Sequence, residues 1–307
     1  MERLVAIVGP TGIGKSRLAL YLSSVFPGEI VSADSRQVYR YLDIGTAKPA
    51  PEELSRIPHH LIDIINPDEE FSLAQYQQLA FKAISDIQKR RHLPLLVGGS
   101  GLYVKAVLEN WQVPRVSPDS RFRYNVERIA AGGGADELYR ELVKIDPAAA
   151  RKIDAHNIRR VIRALEVHAR TGKPFSRQGK KKTPVYRSLV IGLTTDRSRL
   201  YDIVDRRVDE MFARGLVAEV ENLLKMGYDF NLPAMSGIGY RQVGQYLRGE
   251  LSLDEVRHKV KMETHRLIRH QYAWFRLKDE AISWFDVASP VNTDIEEAVS
   301  RFLRADG

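Results

Sequence analysis

The segment GPTGIGKS, residues 9–16, combines residue types and a spacing that bind phosphate. Its glycines let the main chain turn so that several amide N–H groups point at one anion. A helix is expected directly after the loop, and a helix N-terminus favours negative charge. Lys15 offers a positive charge to terminal phosphates, and the Ser16 hydroxyl offers a ligand to Mg²⁺. The predicted anion site with its metal therefore comprises Gly9, Pro10, Thr11, Gly12, Ile13, Gly14, Lys15 and Ser16.

One acidic residue, Asp34, follows an apolar segment at 29–33 that reads as a strand. The more apolar strand, at 93–99, ends in glycines and carries no acid. Hydrolysis of a nucleoside triphosphate needs an acid and a group that activates water, whereas one carboxylate suffices to accept a proton from a nucleophile. The alternative reading of Asp34 is a turn cap, together with Ser35.

Two further polar residues are candidates for contact with an anion. Ser100 lies in GGSG directly after the strand at 93–99, where its hydroxyl could donate to an oxygen, although glycine turns are common. Arg207 flanks the apolar stripe of a predicted helix that contains Val204 and Val208, so it could reach inward. A helical arginine more commonly faces solvent, and that reading stays open.

The secondary-structure elements that carry these residues follow an order typical of one fold class. Apolar strands at 3–8, 29–33, 93–99 and 188–193 alternate with helical segments, which predicts an α/β fold with a P-loop and a doubly wound parallel sheet. Two prolines near residue 115 mark a boundary. We therefore predict a helical insertion domain at 115–185 within a core formed by 1–114 and 186–307. The core is predicted to end in helices at about 198–226, 239–248 and 252–278.

The positive charge is concentrated in two segments. The chain has a net charge of +8, but residues 151–187 carry 12 Lys/Arg against two Asp/Glu, and residues 257–278 carry seven against one. This distribution is typical of a surface that binds a polyanion such as nucleic acid, although two solvated basic helices would look the same.

Other features of the composition restrict the class of protein. The 307 residues include no cysteine, which excludes disulfides, thiolate metal sites and thiol catalysis. The apolar run at the N-terminus is too short for a signal peptide, and no later stretch is long enough to cross a bilayer. We expect a cytoplasmic protein without membrane contact, and nothing suggests more than a monomer.

Several strings together resemble one family, the tRNA dimethylallyltransferases, also called the bacterial tRNA isopentenyltransferases or IPP transferases. The most specific string is SADSRQVYRYLDIGTAKP at 32–49. The others are GPTGIGKS at 9–16, HHLIDI at 59–64, LLVGGSGLYVKA at 95–106, RRVIRALEV at 159–167, RVDEMFARGLVAEV at 207–220, GIGYRQVGQYL at 237–247 and WFR at 274–276. The similarity covers almost the whole chain in the expected order.

The resemblance implies a reaction in which a dimethylallyl group passes from dimethylallyl diphosphate to N6 of an adenosine 3′-adjacent to the anticodon of tRNA. The loop at 9–16 would hold the diphosphate, with Mg²⁺ on Ser16, and no nucleotide would be consumed. Asp34 matches the family's proposed general base, Ser100 stands where threonine is usual, and Arg207 would stabilise the departing diphosphate. The implied tRNA contacts are Asp34, Ser35, Arg36, Gln37, Ser100, Phe122, Arg123, Arg159, Arg160 and Arg163. The string HRLIRHQYAWFR, at 265–276, departs from the usual Lys-Arg-Gln pattern.

Two other functions share part of these features. A small-molecule kinase would have the same loop and fold but no need for two basic segments. A non-catalytic RNA-binding NTPase would explain the charge and leave Asp34 without a role.

Overall fold

The structure is a computed structural model that describes residues 2–114, 116, 119–177 and 181–305. The chain forms two compact units. The larger comprises Met1–Phe71, Gln77–Leu108 and Val185–Gly307, and the smaller comprises Ser72–Tyr76 and Glu109–Pro184. The sequence predicted an insertion at 115–185, so the smaller compact unit begins earlier along the chain than the predicted boundary.

A six-stranded sheet forms the centre of the larger unit. Its strands are β1 (Arg3–Val8), β2 (Gly28–Ser32), β3 (His59–His60), β4 (Leu93–Val97), β5 (Arg187–Thr194) and β6 (Ser283–Asp286). They lie in the order β3-β2-β4-β1-β5-β6, and every neighbouring pair is parallel. Leu95 of β4 is paired with Ile30 of β2 on one side and with Val5 of β1 on the other. This confirms the predicted α/β fold.

The strands at the centre of the sheet are the ones that the sequence identified. β1 and β4 are apolar runs buried along almost their whole length, as expected for parallel strands that are covered on both faces. The edge strands β3 and β6 are short and partly exposed, and neither was predicted.

The helices of the two units alternate with the strands or form separate groups. They are α1 (Lys15–Val25), α2 (Pro51–Arg56), α3 (Leu73–Lys89), α4 (Gly101–Leu108), α5 (Ser120–Ile129), α6 (Ala135–Ile145), α7 (Pro147–Ala150), α8 (Ile158–Thr171), α9 (Arg197–Ala213), α10 (Leu216–Lys225), α11 (Tyr240–Leu247), α12 (Leu253–Trp274) and α13 (Asn292–Arg304). Throughout the described ranges, each helix is too short or too polar to span a bilayer.

The continuous helix predicted at 198–226 is wrong. The structure divides it into α9 and α10 at Gly215, which has a φ of 98°. Such a backbone conformation is disfavoured for other residue types and ends a right-handed helix. The break turns α10 onto a second apolar cluster of the larger unit.

Two clusters of buried side chains stabilise the larger unit. One lies between the sheet and the helices α1, α9 and α13, and it includes Val5, Leu22, Leu95, Val204 and Val299. The other joins α9, α10, α11 and α12 to the segment after β2, and it includes Val38, Leu42, Val220, Val243 and Val256. The second cluster therefore fixes α9 and α12 beside the carboxyl end of β2.

The smaller unit has its own apolar core, which α5, α6, α7 and α8 share. It includes Val126, Leu138, Leu142, Val161 and Leu165. The helix α8 begins at an Asn157 side chain that accepts a hydrogen bond from the Arg160 N–H, and it ends at Gly172 with a φ of 64°. Both ends are therefore capped by residues suited to that position.

Candidate active site

The loops that follow β1, β2 and β4 lie side by side, because these three strands are neighbours in a parallel sheet. Gly98, after β4, lies so close to the end of β2 that an added Cβ would be 2.2 Å from the Ala33 carbonyl oxygen. A larger residue would separate the two strand ends. The sequence motifs at 9–16, 34–37 and 98–100 are thereby brought to one edge of the sheet.

The predicted phosphate loop has the backbone that its glycines require. Gly9, Gly12 and Gly14 have φ values of 139°, 79° and 99°, and α1 begins at Lys15. An added Cβ on Gly12 would lie 2.6 Å from a methyl group of Val204, so α9 packs directly on the loop. Ile13 turns its side chain into the core, which anchors the loop.

Lys15 extends over the loop. Its Nζ donates to the Pro10 carbonyl oxygen at 2.7 Å. Burial, followed by the nearby charge of Arg207, lowers the pKa of Lys15 to about 8, whereas the charge of Asp34 opposes this shift. A cation whose charged form is this strongly disfavoured gains stability when an anion binds beside it.

Arg207 points inward from α9 to the same loop. Its Nη1 donates to the Thr11 hydroxyl at 3.4 Å. Burial lowers the pKa of the Arg207 guanidinium, and the charge of Asp34 raises it. Two cations, Lys15 and Arg207, therefore lie next to one carboxylate, which favours an anion in the space between them.

Asp34 accepts a hydrogen bond within a turn, and its side chain is only partly buried. Its Oδ1 accepts a hydrogen bond from the Arg36 N–H at 2.8 Å, which is the turn that the alternative reading described. The Arg36 side chain donates to the Pro233 carbonyl oxygen at 2.7 Å. Beside Asp34, the Ser100 hydroxyl accepts from the Ser35 N–H at 3.1 Å, which ties the loop after β4 to the loop after β2.

Two cavities meet at these residues. One, the loop cavity, has a volume of about 330 Å³ and is lined by Lys15 and Ser16 among others. The second, the helix cavity, has a volume of about 420 Å³ and is lined by Ser100 and by side chains of α12. Both walls contain Thr11, Asp34, Thr46, Gly99 and Arg207.

Among the described residues, Asp34 is the only carboxylate on the wall of either cavity. The arrangement provides one proton acceptor between a cationic loop and a second, less charged cavity. It lacks, on those walls, the pair of acids that would support hydrolysis of a nucleoside triphosphate.

Gln37 uses its amide within the protein. Its Nε2 lies 3.3 Å from the carbonyl oxygens of Thr46 and Ala47, and its Oε1 accepts from the Ser32 hydroxyl at 3.1 Å. Contact with a base through the same atoms would have to replace or share these bonds. The role of Gln37 in nucleotide recognition stays a prediction.

No sequence pattern pointed to Glu219. Its carboxylate accepts from the main-chain N–H groups of Asp43, Ile44 and Gly45 at 2.7–3.2 Å and from the Tyr240 hydroxyl at 2.5 Å. Glu219 thus fixes the loop that places Thr46 in both cavities. Only the string LDIGTAKP hinted at this loop, and nothing in it pointed to a partner on α10.

Six residues of α12 line the helix cavity, among them Val260 and His270, and all six were also missed. Thr264, Leu267, Gln271 and Trp274 follow one another at spacings of three or four, which places them on one face of the helix. Trp274 is packed so closely on Gly101 that an added Cβ would lie 2.3 Å from its ring. The spacing was present in the sequence, but the positive charge of this segment drew the interpretation toward its exposed face.

The predicted tRNA contacts on the smaller unit fall into two groups. Arg159 and Arg160 are exposed at the beginning of α8. Arg123 and Arg163 bind the fully buried Glu166, at 2.8 Å and 2.5 Å. Phe122 packs against the apolar core. The structure therefore gives the last three residues a role in the unit itself, while contact with tRNA stays a prediction for all five.

Comparison with known proteins gives one consistent family. The family model described as IPP transferase matches residues 37–278. A tRNA dimethylallyltransferase of Dehalococcoides mccartyi is 51% identical over 304 residues, which cover 99% of this chain and 93% of the relative. One from Roseiflexus sp. strain RS-1 is 54% identical over 276 residues, which cover 90% of each chain.

Solved structures agree with this result. The full-length tRNA isopentenylpyrophosphate transferase of Bacillus halodurans is 40% identical, with a TM-score of 0.73 and coverage of 98% of this chain and 96% of the other. A eukaryotic dimethylallyltransferase acting on tRNA is 26% identical, with a TM-score of 0.82, 99% of this chain covered and 80% of the other. The resemblance inferred from the motifs is confirmed, and the chain belongs to the IPP transferase family.

Proposed function

We propose that this chain transfers a dimethylallyl group from dimethylallyl diphosphate to N6 of the adenosine 3′-adjacent to the anticodon, position 37, of tRNA. The products are N6-(dimethylallyl)adenosine and diphosphate. The observation that carries the proposal is the position of Asp34, on the wall shared by a cationic loop cavity and a second cavity. One substrate can therefore approach this carboxylate from each side.

The loop cavity suits the diphosphate of the donor. The main-chain amides of Gly12 and Gly14, the α1 N-terminus and Lys15 all offer positive potential to it. Breaking an allylic C–O bond builds positive charge on carbon and negative charge on the departing diphosphate. Fixed donors such as Lys15 and Arg207 stabilise that anion as it forms, and they do so more effectively away from bulk water.

A Mg²⁺ ion fits the same cavity. The Ser16 hydroxyl presents a hard oxygen donor there, and Mg²⁺ is characteristically held by one or two protein oxygens together with phosphates and water. When bound, it would neutralise part of the diphosphate charge. Lys15 and Arg207 would supply the rest of that stabilisation.

The helix cavity suits the acceptor base. An adenine amine is a weak nucleophile because its lone pair is delocalised into the ring. As the C–N bond forms, the N–H becomes acidic, and Asp34 is placed to accept that proton. The Ser100 hydroxyl borders the same cavity and accepts from the Ser35 N–H, and its hydrogen, which donates to the Ser35 hydroxyl at 3.4 Å, could turn to the substrates instead.

A base in the anticodon loop can reach this cavity at modest cost. Bases in such loops are unstacked more easily than those in a duplex, and enzymes that modify bases bind them in extruded form. We assign Arg159 and Arg160 of the smaller unit to phosphates of the anticodon stem, since both are exposed. We further propose that the chain acts as a monomer in the cytoplasm, which sedimentation velocity and fractionation would test.

The direct experiment incubates the purified chain with radiolabelled dimethylallyl diphosphate, Mg²⁺ and unmodified tRNA, followed by nucleoside analysis. Label should appear in N6-(dimethylallyl)adenosine without ATP. A small-molecule kinase would instead release ADP from ATP, and a binding protein would retain tRNA without labelling it. Either of these outcomes, with no labelled nucleoside, would contradict the proposal.

A further inference from the structure

Gln271 of α12 joins two loops of the active site. Its Oε1 accepts from the Thr11 N–H at 2.8 Å, and its Nε2 lies 3.3 Å from the Gly99 carbonyl oxygen, to which it donates. The side chain is buried, with 8% of the residue exposed. A primary amide matches this pair of partners because it offers one acceptor and one donor in a fixed geometry.

Each of these loops carries a group that the proposed reaction uses. Thr11 belongs to the phosphate loop, and its hydroxyl accepts from Arg207. Gly99 directly precedes Ser100, whose hydroxyl is bonded to the loop after β2. The Gln271 amide therefore connects the loop that faces the diphosphate with the loop that faces the acceptor.

The contact between Gln271 and Gly99 excludes a larger residue at position 99. An added Cβ on Gly99 would lie 2.2 Å from the Gln271 Nε2, so the glycine is needed for the amide to reach the carbonyl oxygen. The bond from Thr11 also occupies a main-chain N–H of the phosphate loop. The amides left to bind an anion then begin at Gly12, which defines where the diphosphate sits.

We propose that Gln271 is a positioning residue that sets the spacing between the phosphate loop and the loop after β4, which carries Ser100. The inference rests on the proposed transfer reaction and adds a residue to it. Gln271 holds the two loops in the relative position that brings the carbon of the donor to the amine of the acceptor. Small displacements of reacting groups have large effects on rate, while binding of each substrate alone depends on one loop at a time.

The test uses Gln271→Met, which keeps most of the side-chain volume and removes both hydrogen bonds. We expect the single-turnover rate of transfer to fall by about 10-fold or more, because positioning contributes to the chemical step. The dissociation constants of pyrophosphate and of tRNA, measured separately, should stay within about threefold of the wild-type values, since uniform binding is not what is lost.

The matched control is Gln88→Met. Gln88 donates to the Arg3 carbonyl oxygen at 3.1 Å, outside both cavities, so its loss should leave the rate unchanged. A wild-type rate in Gln271→Met would overturn the proposal. So would a loss of rate that is matched by equal losses in both affinities and by a lower melting temperature, because a purely structural role predicts that result.

A double-mutant cycle gives a second test. Gly99→Ala should displace the amide and slow transfer, whereas Gln271→Ala leaves space for the new methyl group. The double variant should therefore be no slower than the slower single variant, and additive losses would contradict the proposal. If the wild-type chain does not transfer the dimethylallyl group, the proposed function is wrong. If the wild-type chain is active and the variants transfer at the same rate, only the positioning role of Gln271 is wrong.

Discussion

The Arg207 guanidinium lies 3.4 Å from the Thr11 hydroxyl, so a cation from α9 borders the phosphate loop of β1. The two residues are far apart in sequence, and the close packing of Val204 on Gly12 brings their elements together. Arg207 also lines both cavities with Asp34. This relationship links the departing diphosphate to the proton acceptor and is the basis of the first prediction.

Arg207→Ala should reduce the single-turnover rate of transfer by about 10²–10³-fold, because it removes a preorganised donor from the developing anion. Arg207→Lys should recover part of the rate, since it keeps the charge but loses the planar set of donors. The control is Arg206→Ala, whose side chain is exposed on the same helix. Equal losses in the Arg206 and Arg207 variants would show that the helix, and not the inward cation, is responsible.

Lys15 should give donor binding a dependence on pH. The pKa of Lys15 is lowered to about 8, so the free protein loses this positive charge as the pH rises through that value. Affinity for pyrophosphate, measured by calorimetry, should be steady below pH 7 and weaken above about pH 8.

The Lys15→Met variant separates this effect from ionisation of the ligand. The affinity of this variant for pyrophosphate should be low, and any remaining change of that affinity with pH is caused by ionisation of pyrophosphate. A wild-type profile parallel to that of the variant would exclude titration of Lys15 as the cause.

Much of the site could be predicted because its parts are local in sequence. The phosphate loop, Asp34 and Ser100 each follow an apolar strand, and parallel strands place their carboxyl ends at one edge. The apolar stripe of α9 made an inward Arg207 one of two possibilities, and its contact with Thr11 decides between them. In contrast, the contacts of Gln271 and Glu219 join residues far apart in sequence, and no local pattern specifies such pairs.

The smaller unit shows the limit of reasoning from charge. Arg163 was counted with the basic segment at 151–187, and Arg123 was named as an implied tRNA contact, but the buried Glu166 binds both. A lone acid on the apolar face of α8 was the signal for this arrangement. Likewise, the edge strands β3 and β6 are too short for their periodicity to distinguish them from loops.

Binding of tRNA should depend on salt through the exposed arginines of α8. Replacing Arg159 and Arg160 together with Gln should reduce the slope of log affinity against log salt by about two, one for each lost phosphate contact. The control is Arg301→Gln with Arg304→Gln, which makes the same change of charge on α13. An unchanged slope in the α8 variant would show that these arginines face solvent in the complex.

Stability in acid should depend on Glu29. Burial raises the pKa of Glu29, but hydrogen bonds from Arg90, His60 and His92 outweigh burial and lower it to about 2. Because the folded-state pKa is depressed, the stabilisation is present above about pH 4.5 and is lost as the pH falls toward 2.

The contribution of this group to the free energy of unfolding is about 3 kcal/mol at neutral pH. Glu29→Gln should therefore be less stable at pH 7, and its free energy of unfolding in urea should change less between pH 5 and pH 3. If wild type and variant lose stability in parallel over that range, other carboxylates account for the acid sensitivity.

The central claim is that Asp34 accepts the proton from the adenosine amine, and Asp34→Asn tests it most directly. The amide oxygen can still accept from the Arg36 N–H, so the turn is kept while the proton acceptor is removed. We predict that the single-turnover rate of dimethylallyl transfer to tRNA falls by about 10²-fold or more, with tRNA affinity unchanged. A wild-type rate in Asp34→Asn would contradict the account and leave Asp34 with the turn alone.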